Sequence, residues 1–288
     1  MMKKISFVIL GLLISATIAQ SAIDTSLCAK EPYDISNKFS QVMSTITGSN
    51  FIATKAAELA IQSQLKKDMG TKGADVEITP YSMGDFTKGK FKSISINIPS
   101  ASHEDFAFSN FKAQSLCDFN HVIVEKKQIS FAQNFLMSFS TDFTNEDLQK
   151  MTSSKKYLDK IGNIKLKIGN FSLLRVTEPS IAINSGKLQM SFGIETPLLV
   201  VNNLDKITIT SKLKAEKGQL QLANMTINNK KYDMGLLLPI INLINPLSIE
   251  SKIANNSGIA QIENVDIIND KISLNGIIYI PKNKVIQK

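Results

Sequence analysis

The sequence predicts an α+β protein in which an antiparallel β-meander follows an N-terminal helix. Three observations carry this. Between Asp34 and Met69 apolar residues recur at three- and four-residue steps, as on one face of a helix. From Val76 the period changes to two, most cleanly at Phe91–Ile98, where Ile94, Ile96 and Ile98 share one face and Ser93, Ser95 and Asn97 the other. Turn residues then punctuate the chain at Gly169-Asn170, Asn184-Ser185-Gly186, Lys217-Gly218, Asn228-Asn229 and Asn269-Asp270, the spacing of a large meander.

The elements follow in order. Ile35, Phe39, Val42, Met43 and Ile46 begin the helical stretch, Thr47-Gly48-Ser49-Asn50 interrupts it, and Gly70 stops it after Lys66 and Lys67. In its second half Ile52, Ala56, Leu59 and Leu65 can share a face. Strand patterns occupy Val76–Ile78, Phe91–Ile98, His121–Ser130, Ile164–Val176, Ile181–Glu195, Lys206–Lys214, Gln219–Asn228, Ile259–Ile268 and Lys271–Ile280. Two interruptions read as helical. Thr144-Asn145-Glu146-Asp147 resembles a capping arrangement opening a helix to about residue 160. Leu236–Ile244, an apolar run containing Pro239, fits a short buried helix, a bent strand or a membrane-touching loop. Phe131, Phe135, Phe139 and Phe143 recur every fourth residue. On a strand all four point one way; on a helix they drift around it. Core packing is the ordinary explanation of such a stripe, and a groove lining is the sharper one.

Residues 1–22 read as a secretory signal peptide: Met-Met-Lys-Lys, an apolar run from Ile5 to Ile14, then small residues, with cleavage after Ser21 or Ala19. Residues 23–288 are expected to form a single domain. Cys28 is preceded by Thr25-Ser26-Leu27, the reverse of a lipobox, which wants a large aliphatic residue three before the cysteine and a small one directly before it, so lipidation is not expected. Cys28 and Cys117 are the only two cysteines, and an exported chain with an even count favours a disulfide between them. The expected location is the periplasm or the cell envelope.

With 288 residues, 43% hydrophobic and 20% charged, and 14 Gly and 8 Pro, the composition is globular and excludes collagen, a disulfide-dense miniprotein and wholesale disorder. The net charge of +8 comes almost wholly from lysine; Arg175 is the single arginine, and there is no tryptophan. Lysine lacks the bidentate fork that reads phosphates and guanines, so nucleic-acid binding is not expected. A mild lysine excess suits peripheral contact with an anionic membrane surface, or plain solubility.

Catalytic motifs are missing. There is no nucleophile elbow, phosphate loop, dinucleotide fingerprint or zinc-protease helix. Only His103 and His121 could serve as imidazole bases, and neither sits in a nucleophile–base–orienter pattern. Cys117 and His121 are four apart, but a zinc site takes at least three protein ligands and no second pair completes it. No metal, no cofactor and no enzymatic activity are expected.

The segment Gly84-Asp85-Phe86-Thr87-Lys88-Gly89-Lys90-Phe91 leading into Ser93-Ile94-Ser95-Ile96, the helix with Ala56-Ala57-Glu58-Leu59-Ala60-Ile61 and Leu65, and the closing strands Ile262–Ile267 and Lys271–Gly276 carry a resemblance over most of residues 50–282. The chain resembles the LmeA-like phospholipid-binding family of exported bacterial proteins. The segment Ser115–His121 departs from that pattern. The resemblance implies a tubular-lipid-binding-like fold: a long, strongly curved antiparallel sheet wrapped around the N-terminal helix, with an apolar groove between them. Its implied partner is phospholipid or another amphiphile. Groove candidates are Ile52, Ala56 and Leu59 from the helix, Ile94, Ile96 and Ile98 from the sheet, and Phe135 and Phe139. Each CH₂ moved into such a groove contributes about 0.8 kcal/mol, so binding needs no sharp polar motif. The rival expectation is an envelope structural or interaction protein whose core is closed.

Overall fold

The computed structural model describes residues 23–29, 34–46, 49–103, 106–125, 128–162, 167–168, 171–172, 175–195, 206–230, 241, 245, 247 and 259–287. The signal-peptide segment and most of Leu236–Ile244 lie outside these residues. Antiparallel sheet dominates, with a few helices beside it.

The helical stretch forms as two pieces, α1 (Lys38–Ile46) and α2 (Ser49–Met69), divided where Thr47-Gly48 interrupts the periodicity. Strand β1 (Asp75–Pro80) follows, then a short helix α3 (Met83–Thr87) and the long strand β2 (Lys90–His103). Three further strands, β3 (Phe106–Ser115), β4 (Asn120–Val124) and β5 (Gln128–Phe131), lead to β6 (Phe135–Thr144). The stretch His121–Ser130 is thus a hairpin of two strands, not one strand, because the chain reverses through Glu125 and Gln128, whose backbones bond at 2.9 Å.

Helices α4 (Asn145–Ser153) and α5 (Lys155–Gly162) come next. The expected capping box is present: Thr144 Oγ1 accepts the Asp147 N–H, and Asp147 Oδ2 accepts the Thr144 N–H. Ser154, in extended conformation, splits what the sequence suggests as one helix. Among the described residues of the expected strand Ile164–Val176 stand the two-residue strands β7 (Lys167–Ile168) and β8 (Phe171–Ser172), which pair with each other, and the start of β9 (Arg175–Asn184); the others lie outside the described residues. The remainder runs as hairpins: β9 with β10 (Lys187–Glu195), β11 (Ile207–Glu216) with β12 (Gln219–Ile227), and β13 (Ile259–Ile268) with β14 (Lys271–Ile280), closed by β15 (Val285–Gln287).

Among the described residues the strands form a nine-stranded sheet in the order β13-β14-β6-β3-β2-β4-β5-β15, with β1 on the other edge of β2, and a four-stranded sheet in the order β12-β11-β10-β9. One face of β6 presents Phe135, Met137, Phe139 and Phe143, all buried. The four-residue spacing is therefore a strand pattern. Phe135 meets Phe91 and Phe131 ring to ring, and Phe143 meets Phe106, the geometry aromatic pairs favour. The same core takes in Ile272, Ile278 and Ile280 of β14, Leu148 and Met151 of α4, and Leu188 and Met190 of β10.

Gly276 of β14 stands opposite Phe139, where β13 bulges between Ile262 and Asn264. A Cβ at Gly276 would lie 2.0 Å from the Gln261 carbonyl oxygen, so the bulge needs a residue without one. The Ile262 N–H, turned out of the ladder, donates to the Gly218 carbonyl in the β11–β12 turn at 2.9 Å.

On its opposite face the large sheet carries a second apolar cluster of Ile23, Cys117, Leu136 and Ile277, joined by Leu27 and Cys28. The leading segment covers it. Cys28 and Cys117 are bonded, 89 residues apart in sequence. Such a bridge belongs to an oxidising, exported environment. Among the described residues no helix is long and apolar enough to cross a membrane.

Helix α2 buries Thr54, Glu58, Ile61, Leu65 and Met69 against the sheet, and its main neighbours are β1, β2, α1 and α3. These contacts place it beside one part of the large sheet; they do not describe a sheet wrapped around it.

Candidate functional site

The Gly84–Phe91 segment that carries the resemblance folds into a polar knot. Ser82 caps α3 by accepting the Asp85 N–H. Buried Asp85 then takes hydrogens from the Ser82 hydroxyl at 2.6 Å and from the N–H and hydroxyl of Ser36. Burial alone would raise this carboxyl; the Ser36 and Ser82 donors and the Lys90 charge outweigh it and hold the group below the usual carboxylate range. Buried Lys90 donates to the Asp34 carbonyl. Gly89, with φ +78°, lets β4 approach: the Val122 N–H reaches its carbonyl at 2.9 Å. The motif is thus a fastening. It ties residues 34–36, and with them the start of α1, to the sheet.

Beside this fastening lies a cleft of about 590 Å³, within the range of small-ligand sites. One wall is α1, with Gln41, Val42 and Thr45; the other is the sheet, with Pro80, Tyr81, Lys92 and Phe119. Tyr81 and Phe119 stack with ring centres 6.0 Å apart and planes 15° from parallel. The Tyr81 hydroxyl donates to the Asp118 carbonyl. Burial, then the charges of Asp118 and Asp85, push the Tyr81 phenol above its ordinary value, so it stays a neutral donor. Val42 is 54% exposed at the rim, and Lys92 supplies an exposed cation. No histidine or cysteine lines the cleft. The lining combines apolar side chains with a few hydrogen-bonding groups, the Lys92 ammonium and the Asp118 carboxylate.

The sequence-predicted groove residues divide. Ile96 and Ile98 are buried and Ile94 half-buried, in one core with Ile61 and Leu65 of α2. Phe135 and Phe139 are buried in that core too. Leu59, 54% exposed, and Ala56 face solvent, which corrects the helix face: the buried stripe is Thr54, Glu58, Ile61, Leu65 and Met69. Polar Thr54 and Glu58 on that stripe disguise it in the sequence. The Ile52 side chain lies outside what the structure describes. Sequence reasoning missed Tyr81 and Phe119. Their signal was faint: two aromatics in connections between strands, outside any periodic apolar face.

Elsewhere, Asp142 accepts from Lys271 Nζ, Ser273 Oγ and Asn110 Nδ2 at 2.7–2.9 Å. Burial raises its carboxyl, but these donors outweigh that and hold it low. His121 pairs across β2 from Lys90, and burial, with the Lys90 charge, lowers its imidazole. Among the described residues no three His, Cys, Asp or Glu side chains come together as metal ligands.

No protein-family model, no curated protein and no solved structure matches this chain.

Proposed function

We propose that this chain is an exported, non-catalytic protein that holds phospholipid or a similar amphiphile between helix and sheet. The cleft bounded by Val42, Pro80, Tyr81, Phe119 and Lys92 carries the reading: apolar side chains line it and are open to solvent, and Lys92, with Asp118 on the same lining, gives it a charged edge that a zwitterionic or anionic headgroup can meet. The Cys28–Cys117 bridge fits the exported location. The site differs from the groove implied by the resemblance, because the inner contact of α2 with Ile96 and Ile98 is already filled by Ile61, Leu65 and Met69.

The test is lipid itself. Native mass spectrometry and organic extraction of the mature protein are expected to reveal bound lipid, and a fluorescent phospholipid is expected to transfer to the protein and to be lost from Val42→Glu. No bound lipid together with no uptake refutes the reading. That filled inner contact favours a second reading, an envelope interaction protein, for which cross-linking in cells traps a protein partner and lipid uptake is absent.

A further inference from the structure

The hairpin β4–β5 and the strand β15 form one end of the large sheet, and their outer face is unusual in composition. Ser130 of β5 pairs with Ile123 on one side and with Val285 on the other. Paired residues project to the same face, so Ile123 and Val285 flank Ser130 on one side of the sheet. Both are exposed, at 39% and 46%; Val124, one residue on in β4 and paired with Ile129, projects to the other face. Single exposed aliphatics are ordinary; two set side by side on the last strands of a sheet form a small apolar patch.

Lysine is their neighbour in the chain: Lys282, exposed, and Lys284, half-buried, stand just before Val285, and residues 281–287 hold no acid. Lys282 and Lys284 belong to the turn that leads into β15 and fasten it through their backbones: the Lys282 N–H donates to Asn134 Oδ1, and the Lys284 carbonyl accepts the Phe131 N–H. Their charges are therefore not needed for that fastening. Exposed aliphatic side chains with lysines close by in the chain match the boundary between acyl chains and anionic headgroups. The strand β4 also runs straight on from Phe119 of the cleft, reaching Ile123 about 13 Å away at 3.3 Å per residue.

We infer that this end of the sheet docks on an anionic lipid bilayer, with Ile123 and Val285 entering the headgroup boundary and Lys282 and Lys284 meeting the anionic lipids. The inference deepens the amphiphile reading by naming the surface at which cargo is exchanged, and it rests on that reading for the purpose of docking.

The experiment is co-sedimentation of the oxidised mature protein with vesicles, either equal parts phosphatidylglycerol and phosphatidylcholine or phosphatidylcholine alone. Binding is expected to the anionic vesicles only, and to fall steeply between low salt and 0.5 M salt. Lys282→Gln with Lys284→Gln is expected to weaken it about 25-fold, about fivefold for each charge near the surface. Ile123→Ser with Val285→Ser is expected to weaken it at least tenfold, with an unchanged thermal melt. Equal binding to both vesicle types, no binding to either, or binding undiminished in both double variants overturns the proposal. Uptake of a short-chain fluorescent phospholipid supplied as monomers, without vesicles, reads the cleft alone. If that uptake persists while sedimentation fails, only the docking surface is refuted; if sedimentation persists while uptake fails, only the amphiphile site is.

Discussion

Glu58 Oε1 accepts the backbone N–H of Ile78 at 2.9 Å, with both residues buried. Among the described residues strand β1 pairs only with β2, so the outward N–H at Ile78 would have no ladder partner there. A carboxylate from α2 supplies one, and Lys55 balances its charge at 3.4 Å. Removing the acceptor leaves a buried donor unsatisfied. Glu58→Ala is expected to cost about 1–3 kcal/mol in urea denaturation, and Glu58→Gln, which keeps a carbonyl there, less than half as much. Equal losses would show that the hydrogen bond is not the source.

The disulfide closes a loop of 89 residues. Chain entropy alone predicts about 4–5 kcal/mol of stabilisation for such a loop. Cys28→Ser with Cys117→Ser is expected to lower the denaturation midpoint strongly, and reductant to have the same effect on the native protein and none on the double variant. Thiol titration of the unfolded native chain is expected to find free thiol only after reduction.

At Gly89 a Cβ would stand 1.8 Å from the Val122 carbonyl oxygen, in a backbone conformation that L-residues rarely adopt. Gly186, also at positive φ, has open space around it. Gly89→Ala is expected to destabilise by several kcal/mol, against about 1–2 kcal/mol of backbone strain for Gly186→Ala. Guanidinium melts of the two variants make the comparison.

Asp85 and Asp142 both ionise below the ordinary carboxylate range in the folded protein. A depressed folded value means stability that is present above the unfolded value near 3.9 and is lost as pH falls through the folded one. Stability from these two groups is therefore expected to be flat from neutral pH to about 4 and to decline below it. Asp85→Asn and Asp142→Asn are each expected to flatten that acid limb in melts between pH 2 and pH 6.

Phe119→Ala removes half of the Tyr81 stack without touching the sheet ladder. It is expected to reduce phospholipid uptake at least fivefold and to shift the thermal midpoint by only a few degrees. A large loss of stability with unchanged uptake would place Phe119 in the core instead of the site.

Much of the strand layout was legible because alternation and turn chemistry are local. The hairpins at Asn184-Ser185-Gly186, Lys217-Gly218 and Asn269-Asp270 lie where those residues stand. Strand β3 was not anticipated: its one bulge, at Asn110 with φ +51°, breaks the alternation that would have marked it. The short helix α3 was missed because its role depends on Ser36, 46 residues before its cap. The face of α2 was misjudged because Glu58 is buried for a hydrogen bond, which no apolar period records. The cleft draws on α1, the end of β1, the start of β2 and the link after β3, and no short window of sequence contains them all.

Gly276 has one further consequence. Its position is dictated by the main chain of a neighbouring strand, not by side-chain fit, so drift elsewhere in the core cannot relax the demand. Core aliphatics are interchangeable over generations, and that erases ancestry quickly. A descendant retaining the β13 kink keeps glycine there, the Gly218 carbonyl facing the kink, and the two half-cystines. Those sparse landmarks, rather than overall similarity, are the thread by which distant cousins of this chain can be traced.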